Sequence, residues 1–263
     1  MVRVCPGPSW PSVIEMLDPH SLAFYSRQLG LPGWGSAGQN RLQQSTVAII
    51  GAGGLGCPAA LYLAAMGIGQ LILIDRDRVE LSNLHRQILF EARHIGQYKT
   101  AVAAQVLQER YPSCYTQTAL LDITQAHSLP VGEAQVVLDC TDNYEARRAV
   151  NHLCLQQRLP LVSAAAVGLS GQLTVFDPRQ PQSPCYDCLY GAIPGGESCA
   201  TAGILPAVAG MIACLQVIET TKLLLDMGES LCGRLLLFDA AAMAFRTVTL
   251  PRDPACPTCA RQG

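Results

Sequence analysis

Residues 46–56 have the sequence TVAIIGAGGLG, and this stretch decides the fold class. Thr46 to Ile50 is short and almost wholly apolar, which predicts a buried β-strand. A Gly-x-Gly-x-x-Gly run follows, and the apolar stretch Ala59 to Met66 after it predicts a helix. A glycine-rich turn between strand and helix lets backbone N–H groups approach a phosphate at the helix N-terminus. The stretch therefore predicts a nucleotide-binding βαβ unit.

Further apolar strands alternate with helical stretches beyond this unit. Strands apolar on both faces are typical of a parallel sheet covered on both sides. We therefore expect a doubly wound, Rossmann-like α/β fold with a mostly parallel sheet and added antiparallel strands near the C-terminus. Further strands are expected at 71–75, 135–139, 161–164, 172–177 and 234–238, and helices at 97–110, at 144–156 and from about 205.

The chain of 263 residues is long enough for one elaborated domain. We expect residues 1–20 to form a loose arm and residues 21–263 a single domain. A soft boundary near residue 160 separates a nucleotide-binding half, about 21–160, from a second half, 161–263, that is richer in loops and cysteines.

Composition excludes several classes of protein. Apolar residues make up 49% of the chain, which argues against general disorder, and a net charge of −2 gives no basic surface for nucleic acid. The N-terminus lacks the pattern of a secretory signal. The longest apolar stretch, 204–218, is too short to span a bilayer comfortably and predicts a core helix. We expect a cytoplasmic protein whose 12 cysteines serve as thiols, metal ligands or catalysts.

Charged residues after the second strand indicate which nucleotide binds. Asp75 ends that strand, where an acid can bond a ribose hydroxyl, and NAD would be the usual ligand. Arg86 and Lys99 follow, and Lys99 is one of only two lysines in the chain. Two additional cations suit a triphosphate better than a nicotinamide pocket, because they stabilise charge that develops during nucleotidyl transfer.

Asp142 follows the predicted strand at 135–139, near the same edge of the sheet. In an open parallel sheet, ligands bind beyond the carboxyl ends of the strands. Asp142 therefore has two possible roles that spacing cannot separate. Its carboxylate would hold a magnesium ion that bridges phosphates, or it would cap the following helix.

Two Cys-x-x-Cys pairs predict a metal site. Cys185 and Cys188 form one pair, and Cys256 and Cys259 form the other. Four thiolates make a closed tetrahedral zinc site, which is structural rather than catalytic. With 67 residues between the pairs, the zinc would clip the C-terminal tail to the middle of the chain. A redox role for each pair is the alternative.

Cys199 lies in a different setting, after a glycine-rich loop and before the apolar helix. A thiol near a helix N-terminus can have a lowered pKa and act as a nucleophile. An ordinary small residue is the alternative for this position.

The motifs together resemble a known family. Over about residues 21–260, the chain resembles the bacterial enzymes that activate sulfur-carrier proteins for thiamine and molybdopterin synthesis. These enzymes are relatives of the ubiquitin-activating enzymes. The motifs that carry the resemblance are YSRQ at 25–28, GAGGLG at 51–56, SNLHRQ at 82–87, CTDN at 140–143 and the two cysteine pairs.

The resemblance implies an ATP-dependent adenylyltransferase. A ubiquitin-like carrier would present its C-terminal Gly-Gly carboxylate to ATP, giving an acyl-adenylate and pyrophosphate. The tail would need a narrow channel, which residues 189–203 would line. The resemblance also implies a homodimer, because Arg27 matches the family's N-terminal arginine that reaches the triphosphate of the neighbouring subunit.

The resemblance assigns the remaining site residues. Magnesium would lie on Asp142, and Cys199 would be the conjugating or sulfur-handling cysteine. The residues expected to hold the nucleotide and its phosphates are Gly51, Gly53, Gly54, Gly56, Asp75, Ser82, Asn83, Arg86, Lys99, Asp142 and Asn143.

The branch of the family is a finer expectation. SAAAVG at 163–168, GQL at 171–173 and CATAG at 199–203 resemble the thiamine branch, with the molybdopterin branch as the alternative. Since the chain stops four residues after Cys259, we expect a separate sulfur donor. Two alternatives from other classes are an NAD-dependent oxidoreductase and a catalytically silent interaction protein.

Overall fold

The fold centres on one sheet of eight strands in the order β3-β2-β1-β4-β5-β6-β7-β8. The computed structural model describes residues 17–191 and 203–260. The five strands from β3 to β5 pair in parallel, and β5 to β8 pair antiparallel. The strands are β1 (Thr46–Ile50), β2 (Gln70–Ile74), β3 (Tyr115–Ala119), β4 (Val136–Asp139), β5 (Leu161–Val167), β6 (Ser170–Phe176), β7 (Arg234–Asp239) and β8 (Ala244–Thr249).

Helices cover both faces of this sheet. Buried residues of α3, α4, α5 and α8 pack on one face, while α6 and α7 pack on the other. The helices are α1 (Pro19–Phe24), α2 (Ser26–Leu29), α3 (Gly35–Gln43), α4 (Gly56–Ala65), α5 (Lys99–Arg110), α6 (Tyr144–Gln157), α7 (Tyr186–Tyr190) and α8 (Pro206–Leu225). The doubly wound α/β fold with added antiparallel strands is confirmed.

The central strands are apolar on both sides because both sides are covered. In β1, Val47 and Ile49 join the core under α4 and α8, whereas Ala48 and Ile50 join the core under α6. None of these four side chains is more than 2% exposed. Successive side chains of β1 therefore pack into two separate cores on opposite faces of the sheet, which explains the unbroken apolar run in the sequence.

Two strands were not predicted from the sequence. β3 and β8 lie at the two edges of the sheet, and their residues are largely exposed. Edge strands carry polar side chains because only one neighbour and little core cover them. The apolar pattern that identified the central strands is therefore absent from both.

The apolar stretch before residue 218 forms part of α8, as expected of a core helix. Among the described residues, α8 is long and apolar enough to cross a membrane, judged by length and composition alone. Most of its apolar stretch is nevertheless buried within the fold. It packs against the sheet and against α3 and α4.

The strand order reverses at β1, and this positions the site. The chain adds β2 and then β3 on one side of β1, and then returns to add β4 on the other side. Ligands of open α/β sheets bind at such a switch point, outside the carboxyl ends of the strands. The glycine-rich turn, Asp75 and the segment after β4 all lie at that edge.

Candidate active site

A cleft of about 890 Å³ lies at the switch point. The turn after β1 forms its floor, and the segments after β2, β3 and β4 form its walls. The residues predicted for nucleotide binding that line it are Gly51, Gly53, Gly54, Asp75, Arg86, Lys99, Asp142 and Asn143.

The glycines of the turn serve different purposes. Gly51 has φ of +95°, and a Cβ there would lie 2.7 Å from the carbonyl oxygen of Cys140. A Cβ on Gly56 would lie 1.9 Å from the carbonyl oxygen of Gly51. Gly51 thus allows the turn, and Gly56 lets α4 start directly against it. Gly53 and Gly54 line the cleft, where the absent side chains leave backbone open to a phosphate.

Asp75 is held against the glycine-rich turn. One carboxylate oxygen accepts the N–H of Ala52 at 2.7 Å, and the other accepts the N–H of Asp77 at 2.8 Å. The carboxylate is therefore fixed at the end of β2 while its residue remains partly exposed to the cleft. This placement suits an acceptor for ribose hydroxyls.

The two predicted cations approach the turn from different elements. Lys99, the first residue of α5, is 6% exposed, and its Nζ lies 2.9 Å from Asp77 Oδ2. Arg86 donates to the carbonyl oxygen of Ser82 at 2.9 Å, and its stem lies 3.4 Å from the position of a Cβ on Gly54. Both side chains line the cleft, so it offers two positive charges beside the turn.

Asp142 does not cap α6. Asn143 is the N-cap, and its Oδ1 accepts the N–H of Ala146 at 2.9 Å. Asp142 is exposed, and its Oδ1 accepts a bond from Asn143 Nδ2 at 3.2 Å. The sequence left two roles open for Asp142, and the structure gives one of them, capping α6, to Asn143. The Asp142 carboxylate can take a hard cation, for which carboxylate and phosphate oxygens are the preferred ligands.

Three predicted nucleotide residues do not line the described cleft. Gly56 lies beneath the turn, Asn83 is buried, and Ser82 is exposed. Asn83 Oδ1 accepts the N–H of Glu80 at 3.2 Å, which fixes the short 3-10 helix at 81–83. The positions of Gly56 and Asn83 therefore indicate that they shape the loops carrying the cleft residues.

Arg27 lies outside the cleft. It is exposed on α2, whose next residue, Gln28, donates to the carbonyl oxygen of Met66 at 2.8 Å. Cys199 lies outside the described residues, as do residues 1–16, most of the predicted arm.

Sequence reasoning missed two buried polar residues of the cleft. Gln87 is 3% exposed beside Gly53, and Arg147 is 8% exposed and donates to the carbonyl oxygen of Thr141 at 3.0 Å. Gln87 ends the SNLHRQ motif, which could have identified it. Nothing in the sequence around Arg147 separates it from the surface arginines of a helix.

The four predicted zinc ligands converge on one point. Sulfur-to-sulfur distances are 3.8 Å from Cys185 to Cys188, 3.7 Å from Cys185 to Cys256 and 3.5 Å from Cys188 to Cys259. A tetrahedral zinc site with Zn–S bonds of about 2.3 Å requires sulfurs roughly 3.8 Å apart. The cluster therefore fits a structural metal that joins α7 to the C-terminal segment.

Burial would favour the protonated form of two of these thiols, Cys185 and Cys259, in the absence of a cation. Desolvation raises the pKa of Cys259 to about 11 and raises that of Cys185 further. A metal ion offsets this cost because it binds the thiolate form.

A buried carboxylate supports the cysteine cluster. Asp187, 4% exposed, accepts from Arg148 Nε at 3.0 Å and from Thr258 Oγ1 at 2.5 Å. His152 Nε2 lies 3.2 Å from the same carboxylate. Asp187 thereby ties both cysteine pairs to α6, the helix that follows Asp142.

Three other cysteines of the described chain lie in the core. Cys57, Cys140 and Cys154 are each at most 6% exposed, and burial raises the pKa of Cys57 to about 12. Burial in apolar surroundings disfavours the thiolate form, which is the nucleophilic form of cysteine.

Comparison with known proteins identifies the family. A model of the ThiF family matches residues 25–258. The chain belongs to the ThiF family. That range contains the glycine-rich turn, both cations, Asp142 and three of the four clustered cysteines, with Cys259 immediately beyond it.

Curated ThiF-family relatives carry the name adenylyltransferase and sulfurtransferase MOCS3. The chain is 44% identical to that of Drosophila willistoni over 258 residues, which cover 95% of this chain and 56% of the relative. It is 42% identical to that of Anopheles gambiae over 251 residues, covering 94% and 56%. The chain thus spans a little over half the length of these relatives.

Solved structures of the same fold include E. coli MccB with selenomethionine MccA. The TM-score is 0.79 at 25% identity, covering 90% of this chain and 74% of MccB. Selenomethionine PaaA has a TM-score of 0.75 at 22% identity, covering 93% and 77%. These likenesses support the fold described above.

Proposed function

We propose that this protein transfers an adenylyl group from ATP to the C-terminal carboxylate of a small ubiquitin-like sulfur-carrier protein. The observation that carries the proposal is the set of cleft residues: a glycine-rich turn, the cations Arg86 and Lys99, and the exposed carboxylate of Asp142, all at one edge of the sheet. The relatives' name, adenylyltransferase, supports this chemistry over hydride transfer to NAD.

In the proposed reaction, a carboxylate oxygen of the carrier attacks the α-phosphorus of ATP. The bond between that phosphorus and the oxygen bridging to the β-phosphate breaks, and pyrophosphate leaves with its electron pair. No general base is needed, because a carboxylate with an ordinary pKa near 3.5 is ionised at neutral pH. The chief obstacle is repulsion between two anions.

This chain's residues address that repulsion. Lys99 and Arg86 place positive charge beside the glycine-rich turn, and Asp75 would hold the ribose. Asp142 would hold a magnesium ion, which would supply further positive charge against the phosphates. Fixed cations of this kind stabilise the transition state more than the separated anions.

Of the two carriers expected from the sequence, we favour the molybdopterin type over the thiamine type. The relatives described above carry the name MOCS3, which supports the molybdopterin alternative. The short motifs that favoured the thiamine branch consist mostly of small residues. Small residues are common in packed strands and turns, so these motifs distinguish the two branches poorly.

We further propose a homodimer with composite sites. Arg27 is exposed and does not line its own cleft, as expected of a side chain that serves a second copy. Mixing Arg27→Ala and Asp142→Asn proteins tests this directly. Exchanged dimers would regain one complete site and recover activity, whereas independent monomers would remain inactive together.

The proposed function is tested by ATP–pyrophosphate exchange. Parallel reactions contain the molybdopterin-type carrier, the thiamine-type carrier, each carrier lacking its terminal glycine, or no carrier. We expect exchange only with the full-length molybdopterin-type carrier. Exchange with the thiamine-type carrier alone would reverse the choice of branch, and exchange without any carrier would contradict the proposed acceptor.

A further inference from the structure

The core helix α8 carries four buried polar side chains: Gln216, Glu219, Thr220 and Thr221. The hydroxyls of the two threonines bond to carbonyl groups of α8 itself, and Glu219 bonds to Lys222 and to the N–H of Leu231. Gln216 differs from the other three, because its side chain bonds to two strands of the sheet. The sequence gives no reason for an amide at this point of an apolar helix.

The amide of Gln216 joins the carboxyl end of β4 to the beginning of the adjacent strand β5, at Val162. Its Nε2 donates to the carbonyl oxygen of Asp139 at 2.9 Å and to that of Val162 at 3.1 Å. Its Oε1 accepts a bond from Cys140 Sγ at 3.5 Å. The side chain is fully buried, so these bonds replace contacts with water.

The same segment is held from the opposite face of the sheet. Asp139 Oδ1 accepts the N–H of Thr141 at 3.0 Å, and Asp139 Oδ2 accepts a bond from Ser163 Oγ at 3.1 Å. Arg147 on α6 donates to the carbonyl oxygen of Thr141. Residues 139–141 are therefore fixed on both faces, and the backbone direction at Asp142 follows from them.

We propose that Gln216 is a positioning residue for Asp142. It fixes segment 139–142 so that the exposed carboxylate meets the magnesium ion of the bound nucleotide. It also links this segment to α8, whose first turn lines the cleft through Ala209. The inference rests on the proposed function only in assigning Mg²⁺ to Asp142.

Gln216→Met tests the proposal, because Met keeps length and apolar packing but cannot donate a hydrogen bond. Thr221→Val is the matched control, since Thr221 is buried on the same helix and its hydroxyl bonds only to Val217 in the described structure. ATP binding is measured by equilibrium titration without carrier, across a range of Mg²⁺ concentrations. Urea unfolding is followed in parallel.

We expect the Mg²⁺ concentration for half-maximal ATP binding to rise about tenfold in Gln216→Met, by analogy with the cost of small misplacements in active sites. ATP affinity without Mg²⁺ should change by less than about twofold, since the glycine-rich turn and Lys99 are untouched. Thr221→Val should leave both values unchanged. Gln216→Asn, which keeps the amide on a shorter stem, should shift the Mg²⁺ requirement if Gln216→Met does not fold.

A lower urea midpoint with an unchanged Mg²⁺ requirement would overturn the proposal and leave Gln216 a packing residue. An equal shift in Thr221→Val, or no Mg²⁺ dependence in the unmodified protein, would also overturn it. The titration involves no carrier and no turnover. A failure of the proposed adenylyl transfer would therefore show only in the exchange assay.

Discussion

Individual charged side chains carry the proposed chemistry, and the fold holds each of them differently. Lys99 is buried and paired with Asp77, whereas the Asp142 carboxylate is exposed beside the N-cap of α6. A buried cation with one partner keeps a fixed position, and an exposed carboxylate can take a ligand without losing a structural bond. Substitutions at these two positions should therefore have separable effects.

Lys99→Met should lower the rate of pyrophosphate exchange by ~10²–10³-fold, because it removes a fixed charge that stabilises the transition state. Lys222→Met is the matched control, since Lys222 is the other lysine of the chain and pairs with Glu219 on α8. Exchange kinetics with correction for folded fraction provide the measurement. Equal losses in both variants would show that lost stability, and not the position of the charge, lowers activity.

Asp142→Asn should lower exchange by at least ~10²-fold through loss of the magnesium ligand. Binding of ATP without Mg²⁺ should persist, because an amide of the same shape keeps the contact with Asn143. Glu109→Gln, an exposed acid at the far end of α5, is the control. Unchanged exchange in Asp142→Asn would remove Asp142 from the site.

Sequence spacing could predict that the glycine-rich turn binds a nucleotide. It could not predict which of Asp142 and Asn143 caps α6. Asp and Asn are both good helix caps, and only backbone geometry decides which of two neighbours takes the position. In the structure, Asn143 has the extended backbone of an N-cap and Asp142 does not serve. The positions of the glycines and Asp75 were predictable, because a strand–turn–helix unit followed by a second strand places them at the carboxyl edge of the sheet.

The junction of β1 and α4 is the most constrained element of the fold. α4 starts at Gly56, against the backbone of Gly51, and the same turn forms the cleft floor. Close approach of backbone to backbone allows no side chain there. Stability and nucleotide binding therefore depend on the same few residues.

Gly56→Ala should lower the free energy of unfolding by ~1–3 kcal/mol or more, because the new Cβ would overlap the carbonyl oxygen of Gly51. Gly210→Ala makes the same chemical change in α8, where the new Cβ would meet no atom within 4 Å apart from its chain neighbours and the backbone of its own helix. That substitution should raise stability by ~0.5–1 kcal/mol through helix propensity. Urea denaturation of both variants measures the contrast, and similar effects of the two would contradict this account of the turn.

Strand prediction from sequence worked for the covered part of the sheet and failed at both edges. β1, β2, β4 and β5 have apolar residues on two faces, a pattern that requires two helical layers. β8 includes Arg246, Thr247 and Thr249 and has a neighbour on one side only. Its strand structure comes from pairing with β7, which no local pattern records.

Across the whole molecule, the cysteine cluster joins the region of α7 to the C-terminal segment. The Cys185 pair follows β6, the Cys256 pair follows β8, and Asp187 connects the cluster to α6. The four ligands were predictable because Cys-x-x-Cys pairs have strict geometry. Their support by Asp187 was not, because a single acid between two cysteines carries no distinctive signal.

Removal of zinc should loosen this part of the molecule. We expect Cys188→Ser to reduce bound zinc and lower the Tm by several degrees, roughly the effect of 1–2 kcal/mol in a chain of this size. Cys214→Ser, at a half-buried thiol on α8, is the control. Elemental analysis and calorimetry on reduced protein provide the measurements, and absence of zinc from the unmodified protein would refute a metal site.

The central claim is that the cleft activates a carrier carboxylate with ATP. Intact-mass analysis of a molybdopterin-type carrier incubated with this protein, ATP and Mg²⁺ tests it most directly, with a carrier lacking its terminal glycine as the control. We predict a mass increase of one adenylyl group on the full-length carrier and none on the control, together with release of pyrophosphate. An unmodified full-length carrier, or release of ADP and phosphate in place of pyrophosphate, would contradict the account.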